Sequence, residues 1–193
     1  MWTMLPVLDA APTERADAAR NRRLVLEAAA ELFAKNPECV TMEAVAAAAG
    51  VGKGTVFRRF GDRAGLVRAL ISDTEIELQE AMIRGAPPLG PGAPARERLI
   101  AFGAAYLRFL EGHARLMAFA EGPSWLSSDV YALYRTHVRL LLEESCGASA
   151  PYLADVLMSP LAAPTFLYHR QVRQLSLEEL TTAYEDLVAR LID

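Results

Sequence analysis

Apolar residues recur along this chain at helical spacing, and no run alternates with the period of a β-strand. From about Asp17 to Lys35, Val25, Leu26, Ala29, Leu32 and Phe33 fall at i, i+1, i+4, i+7 and i+8, one stripe of an amphipathic helix that Asn36 and Pro37 end. Thr41 is a fitting N-cap for a second helix, "MEAVAAAA", with Met42, Val45, Ala46 and Ala49 facing inward. Gly50 can take the positive φ where that helix stops, Val51 plugs the corner, and Gly52 opens the next turn. The third helix, Lys53 to Phe60, is short and has only Val56 and Phe60 as core contacts, so most of its surface is exposed. Gly61 breaks it, and Asp62 caps a fourth helix that passes Leu66, Ala69, Leu70 and Ile76 towards Arg84.

The second half continues in helices. "GAPPLGPGAPA", residues 85–95, is a loop rich in Gly and Pro. "RERLIAFGAAYLRFLEGH" after it is apolar on nearly every face, as a helix surrounded by others must be. Residues 114–121 predict a short helix, "EGPSW" a break, and Ser128 to Glu144 a longer helix. Residues 150–175 are apolar and helical in tendency, kinked or split by Pro160 and Pro164. Ser176 and Glu179 form a capping box for a last helix with Leu177, Leu180, Ala183, Tyr184, Leu187 and Leu191 along one side. The fold class is therefore all-α, with about nine helices. A loose arm is expected over residues 1–17, a small helical domain over 18–65 and a larger one over 66–193.

Composition narrows the function. With 52% hydrophobic residues the bulk of the chain is globular, and two cysteines, Cys39 and Cys146, are too few and too far apart for a disulfide framework. The start "MWTMLPVLDAAPTERADAARNRR" predicts neither export nor a membrane span, so a soluble cytoplasmic protein is expected. His113, His137 and His169 fit no metal-ligand spacing, and no paired catalytic residues stand out; neither a metal nor a cofactor nor an enzymatic role is expected. The net charge of −4 conceals a local basic patch, Lys53, Arg58, Arg59, Arg63 and Arg68 against a lone Asp62, followed at once by Asp73, Glu75, Glu77 and Glu80.

Two chemistries compete for the glycine-rich turn "GVGKGT". A phosphate-binding loop requires G-x-x-x-x-G-K-[ST] between a strand and a helix, but its first glycine falls on Ala47, its hydroxyl on Gly54, and an alanine-rich helix precedes it. A helix-turn-helix instead explains why the third helix buries so little and exposes so much charge: its N-terminal residues would reach base edges in the major groove. Residues 22–70 resemble the DNA-binding domain of the TetR family of bacterial transcription repressors. "RRLVLEAAAELF", Thr41 with "EAVAAAAGV", "GKGTVFRRF" and "GDRAGL" carry the resemblance.

The resemblance implies that Thr41 contacts a phosphate, that Lys53, Gly54, Thr55, Arg58 and Arg59 face the major groove, and that Arg63 touches a flanking phosphate. Capping alone also explains Thr41, and Arg63 could pair with Asp62 or Glu31 instead. The family's usual tyrosine is Phe57 here, leaving apolar packing in place of a phosphate hydrogen bond, and Gly52 replaces the usual hydroxyl residue. It further implies a double-stranded, palindromic operator as partner and homodimers paired through the last two helical segments, with Leu161, Leu167, Leu180, Tyr184, Leu187 and Leu191 available for the contact. A small apolar or aromatic effector would bind among the middle helices near Tyr106, Leu110, Met117, Phe119, Trp125, Tyr134, His137 and Phe166. For the aromatic residues and His137, ordinary core packing competes with this role. An all-helical nucleotide binder or enzyme using the Gly50 to Thr55 turn, which would have affinity for ATP, and a helical protein-interaction adaptor, which would lack salt-sensitive DNA affinity, are the competing classes.

Overall fold

The computed structural model describes residues 11–36, 39–120 and 129–192. Among these, every regular element is helical: α1 (Ala11–Lys35), α2 (Met42–Ala49), α3 (Lys53–Phe60), α4 (Arg63–Arg84), α5 (Ala95–Ala120), α6 (Asp129–Cys146), α7 (Ala150–Met158), α8 (Ala163–Leu167) and α9 (Leu177–Leu191). The chain divides into two compact units, one ending at Leu70 and the other beginning at Ile71.

In the first unit, α2 packs against α1 and α3. Val25, Ala29 and Phe33 from α1, Val45 and Ala46 from α2, Val56 from α3 and Leu66 and Val67 from α4 are buried. Helix α1 starts earlier than its apolar stripe, at Ala11. Pro12 suits a first turn, where its missing N–H would have had no partner, and from residue 16 to 20 alanine and charged residues favour helix without becoming buried, which hides the start from an apolar pattern. At the far end of the unit only glycine fits at position 65, because a Cβ there would lie 1.9 Å from the Phe60 carbonyl oxygen.

The second unit is built around α5, which packs against α6, α8 and α9, while α6 packs on α7. Leu99, Phe102, Tyr106, Leu110, Tyr134, Val138, Leu157 and Phe166 share its buried core with Tyr184 and Val188. Helix α5 is continuous to Ala120, correcting the expected division before residue 114. His113 accounts for the continuity: its Nδ1 lies 2.9 Å from the Phe109 carbonyl oxygen and its ring stacks on Phe109, so nothing there breaks the helix. The expected break at residues 121–125 lies outside the described residues.

Between Ala150 and Arg173 the prolines divide the chain as expected. Pro160 falls in a 3-10 turn, Pro164 in the first turn of α8, and residues Tyr168–Val172 follow as a π-helical turn. The predicted capping box of α9 forms in both directions, Glu179 N–H to Ser176 Oγ at 3.0 Å and Ser176 N–H to Glu179 Oε2 at 2.7 Å. A correction concerns the surface expected to pair two chains: Leu161 and Tyr184 are buried in their own chain, 0% and 4% exposed, whereas Leu167, Leu180, Leu187 and Leu191 are partly buried. Tyr184 can sink inward because its ring occupies the space a Cβ on Gly103 would need, 2.0 Å away.

Candidate nucleic-acid interface

The corner between α2 and α3 and the start of α2 follow from four residues. Thr41 takes an extended conformation, and its Oγ1 accepts the Ala44 N–H at 3.1 Å, closing the start of α2. Gly50 ends that helix at φ 65°, in the left-handed region, with its N–H turned back to Ala46 and Ala47. The Val51 N–H also reaches the Ala46 carbonyl, at 3.0 Å, which fixes the exit of the chain. Gly52 then caps α3 without any side-chain hydrogen bond. At the other end Asp62 Oδ1 accepts the Gly65 N–H at 2.7 Å and starts α4.

Helix α3 buries Val56 alone and half-buries Thr55 and Phe60. Lys53, Gly54, Phe57, Arg58 and Arg59 are exposed. Its basic residues differ in what they touch. Lys53 Nζ pairs with Glu43 Oε1 at 2.5 Å and sits 5.5 Å from the Phe57 ring centre. That ammonium, as hydrogen-bond partner, holds the exposed Glu43 carboxyl below its ordinary range. Arg59 donates from Nη1 to the Ala18 carbonyl of α1 at 2.7 Å. Arg63, half-buried, lays its guanidinium 5.6 Å from the Phe33 ring centre, a contact on its own domain. Arg58 projects into solvent.

Of the residues that sequence reasoning sets on the open side, Lys53, Gly54, Arg58 and Arg59 are exposed and Thr55 is half-buried; that Glu43 and Ala18 hold Lys53 and Arg59 it misses. No short-range signal marks the Ala18 contact, since it joins residues far apart in the chain. Glu43 is foreshadowed by its place in the first turn of α2, one residue before the usual capping-box position.

Residues 25–70 match the family model described as bacterial regulatory proteins, tetR family. Over this segment the chain is similar to the DNA-binding domain of the TetR family. Over 81 residues it is 37% identical to the HTH-type transcriptional repressor LfrR of Mycolicibacterium smegmatis, a match covering 42% of this chain and 42% of that protein. The likeness of fold extends further. A putative TetR-family regulator from Rhodococcus sp. superposes with a TM-score of 0.64 over 90% of this chain and 99% of its own, at 17% identity. A TetR-like regulator from Rhodococcus sp. RHA1 superposes with a TM-score of 0.60 over 88% and 94%, at 23% identity. At these identities the comparison speaks for the fold alone. The corner between α2 and α3 lies within the matched segment, where sequence likeness and geometry coincide.

In the second unit, several residues expected at an effector site come together. Phe102, which sequence reasoning missed, lies 5.8 Å from Tyr106, 5.8 Å from Tyr134 and 5.5 Å from His137 between ring centres, and Tyr106 meets Tyr134 edge-on at 5.1 Å. Tyr106, Leu110, Met117, Tyr134 and Phe166 are buried core residues. The Phe119 side chain and Trp125 lie outside the described residues. Polar groups accompany the rings. His137 is held neutral, its pKa lowered to about 4 by burial and then by Arg98. Burial also raises the pKa of Glu75, and burial followed by the Glu75 charge raises that of Tyr134. Among the described residues the Tyr134 hydroxyl, His137 Nε2 and Arg98 Nε are buried without a hydrogen-bond partner of good geometry, although Gln79 lies beside the Tyr134 hydroxyl. No group of His, Cys, Asp or Glu able to hold a metal ion occurs among the described residues, and no described helix is long and apolar enough to cross a membrane.

Proposed function

We propose that the chain is a sequence-specific DNA-binding transcriptional repressor, acting as a homodimer and released from its operator by a small apolar or aromatic molecule. The observation that carries this is α3: it fully buries a single residue, Val56, and turns Lys53, Gly54, Phe57 and Arg58 outward from a rigid corner. A helix so presented suits the major groove, where Arg58 and Lys53 would meet guanine acceptors or phosphate oxygens and Phe57 a thymine methyl or a sugar. Thr41 and Arg63 are the flanking phosphate contacts on this reading, and Thr55 and Arg59 complete the face. Residues 66–193 would sense the effector and pair the chains. A two-fold dimer places two heads on the half-sites of a palindrome, about one helical turn of DNA apart.

The effector would enter among α4, α5 and α6, where Tyr106, Tyr134 and His137 meet and buried polar atoms lack a hydrogen-bond partner among the described residues. It releases DNA only by binding the non-binding arrangement of the dimer more tightly than the binding one. Relatedness to LfrR, described as a repressor, supports the sign of regulation.

A mobility-shift titration against duplexes enriched from a random pool by the wild-type protein tests the assignment. Arg58→Ala is expected to weaken binding at least tenfold and to flatten the dependence of log K on log salt by about one charge per head. Full specific affinity in Arg58→Ala, with an unchanged salt slope, would sink the role given to α3.

A further inference from the structure

The proposed reading surface leaves the first part of α1 without a role. The helix begins at Ala11, yet from residue 16 onwards its first buried residue is Val25. Residues 16, 17, 19 and 20 are exposed, while Ala18, Asn21, Arg22 and Leu24 are half-buried, so this part of the helix stands on almost no core. A short helix without such support is marginal in water, and something other than burial must hold it. One contact does so. Arg59, in the last turn of α3, donates from Nη1 to the Ala18 carbonyl oxygen at 2.7 Å and joins residues 41 apart in the chain.

The place of that contact on the helix brings two cations together. Val25, Ala29 and Phe33 are the buried face of α1, and at the same helical spacing that face continues towards the N-terminus through Arg22 and Ala18. A helical side chain leans over the turn before its own, so Arg22 leans over the Ala18 turn that Arg59 holds. Among the described residues neither Arg22 nor Arg59 has a carboxylate partner; the neighbouring Glu27 is taken by Arg23, 3.8 Å away. Residues 16–23 carry Arg20, Arg22 and Arg23 against Asp17 alone. Two guanidiniums on one face repel each other, and an anion beside them turns that repulsion into attraction.

We infer that the first part of α1 is a second DNA-contacting element, with Arg22 on a backbone phosphate and Arg59 as the positioning residue that ties α1 to the reading helix. The inference rests on the repressor reading above. An element tied to the last turn of α3, away from the N-terminal residues that would reach base edges, meets the backbone rather than the bases. Phosphate oxygens also match the planar fork of N–H donors on a guanidinium. Arg59 commits one of its donors to Ala18 and so fixes where Arg22 stands relative to Arg58.

Mobility shift at several salt concentrations and phosphate ethylation interference, with the full chain on the enriched duplexes, test this. Arg22→Gln is expected to bind about three- to fivefold more weakly with a shallower salt dependence, and to lose sensitivity at phosphates that Arg58→Ala leaves sensitive. Arg22→Lys, which keeps the charge, should recover most of the affinity. Arg59→Gln should speed amide exchange of residues 19–24 in the free protein, and Arg22→Gln added to it should cost less affinity than in the wild type. Wild-type affinity and interference pattern in Arg22→Gln would overturn the inference by showing a merely solvated side chain. So would Arg22→Lys binding as weakly as Arg22→Gln, or full additivity of Arg22→Gln with Arg59→Gln. Failure of the repressor reading looks different: no duplex is enriched, or Arg58→Ala binds as wild type. If this inference alone fails, Arg58→Ala weakens binding and Arg22→Gln does not.

Discussion

Gly54→Ala should make the protein more stable and a poorer DNA binder at the same time. Gly54 lies in the first turn of α3, outside the left-handed region that Gly50, Gly61, Gly92 and Gly147 occupy, and a Cβ built on it would meet nothing within 4 Å. The fold therefore has no need of glycine there. Replacing glycine by alanine in a helix restricts the unfolded chain and favours the folded one by about 0.5–1 kcal/mol. For a small unit of this kind that is a rise of about 2–8 °C in the melting temperature of the N-terminal transition. On the proposed docking the same methyl group would stand between the start of α3 and the bases. A methyl forced into a packed contact costs about 1–3 kcal/mol, which is about tenfold to a hundredfold in affinity.

The two effects are measured on one preparation, by calorimetric melting without DNA and by mobility shift on the enriched duplexes. A variant that melts higher and binds as tightly as wild type would show that Gly54 is not at the contact surface. A variant that melts lower would show that α3 does not hold the geometry described. Misfolding cannot imitate the expected pattern, because it would lower both quantities.

Glu43→Gln is expected to tighten DNA binding about two- to fivefold at low salt and less at high salt, because it frees the Lys53 ammonium and removes an exposed anion beside the reading helix; an affinity that is unchanged or weaker would remove Lys53 from the interface. A pH dependence follows from His137: in the folded chain it stays neutral down to about pH 4, whereas its ordinary value is 6.5. Between those two values the unfolded chain takes up a proton that the folded chain refuses, so stability falls with acidification, by up to about 3 kcal/mol once pH is below both. Urea melts of the wild type and His137→Gln from pH 7 to pH 4 should converge on the acid side, and a parallel decline would place the titration elsewhere.

Much of the N-terminal domain was legible because its turns depend on residues with few alternatives. Gly50 and Gly61 both adopt positive φ, Asp62 caps α4, and Val56 is the helix's inward anchor, all as their types and spacing predict. The capping box at Ser176 was legible for the same reason: both of its bonds are local. What escaped is non-local. An apolar stripe states that a face will be covered but not by what, which is why Leu161 and Tyr184 read equally well as pairing surface and as core. Only Gly103 decides for Tyr184, and the two lie on different helices with no shared sequence signal. The site among Tyr106, Tyr134 and His137 was half-visible: the rings follow the helical period, while Phe102, Glu75 and Arg98, which set their environment, are recognisable only after α4, α5 and α6 are assembled.

The basic patch shows why counting charges overstates an interface. Of the four residues Lys53, Arg58, Arg59 and Arg63, three already touch their own domain, at Glu43, Ala18 and the Phe33 ring. To contact a phosphate, Lys53 must leave a carboxylate and Arg59 a carbonyl, so each gains the difference between two partners rather than a full new interaction. Arg58, exposed at the same helix, makes no such exchange and should carry most of the salt-dependent affinity. On a chain of net charge −4, non-specific attraction to DNA is correspondingly modest. On the proposed docking, discrimination between sequences would rest on the close approach that Gly54 permits and on Phe57, whose apolar ring would reward a thymine methyl and gain nothing from a bare phosphate.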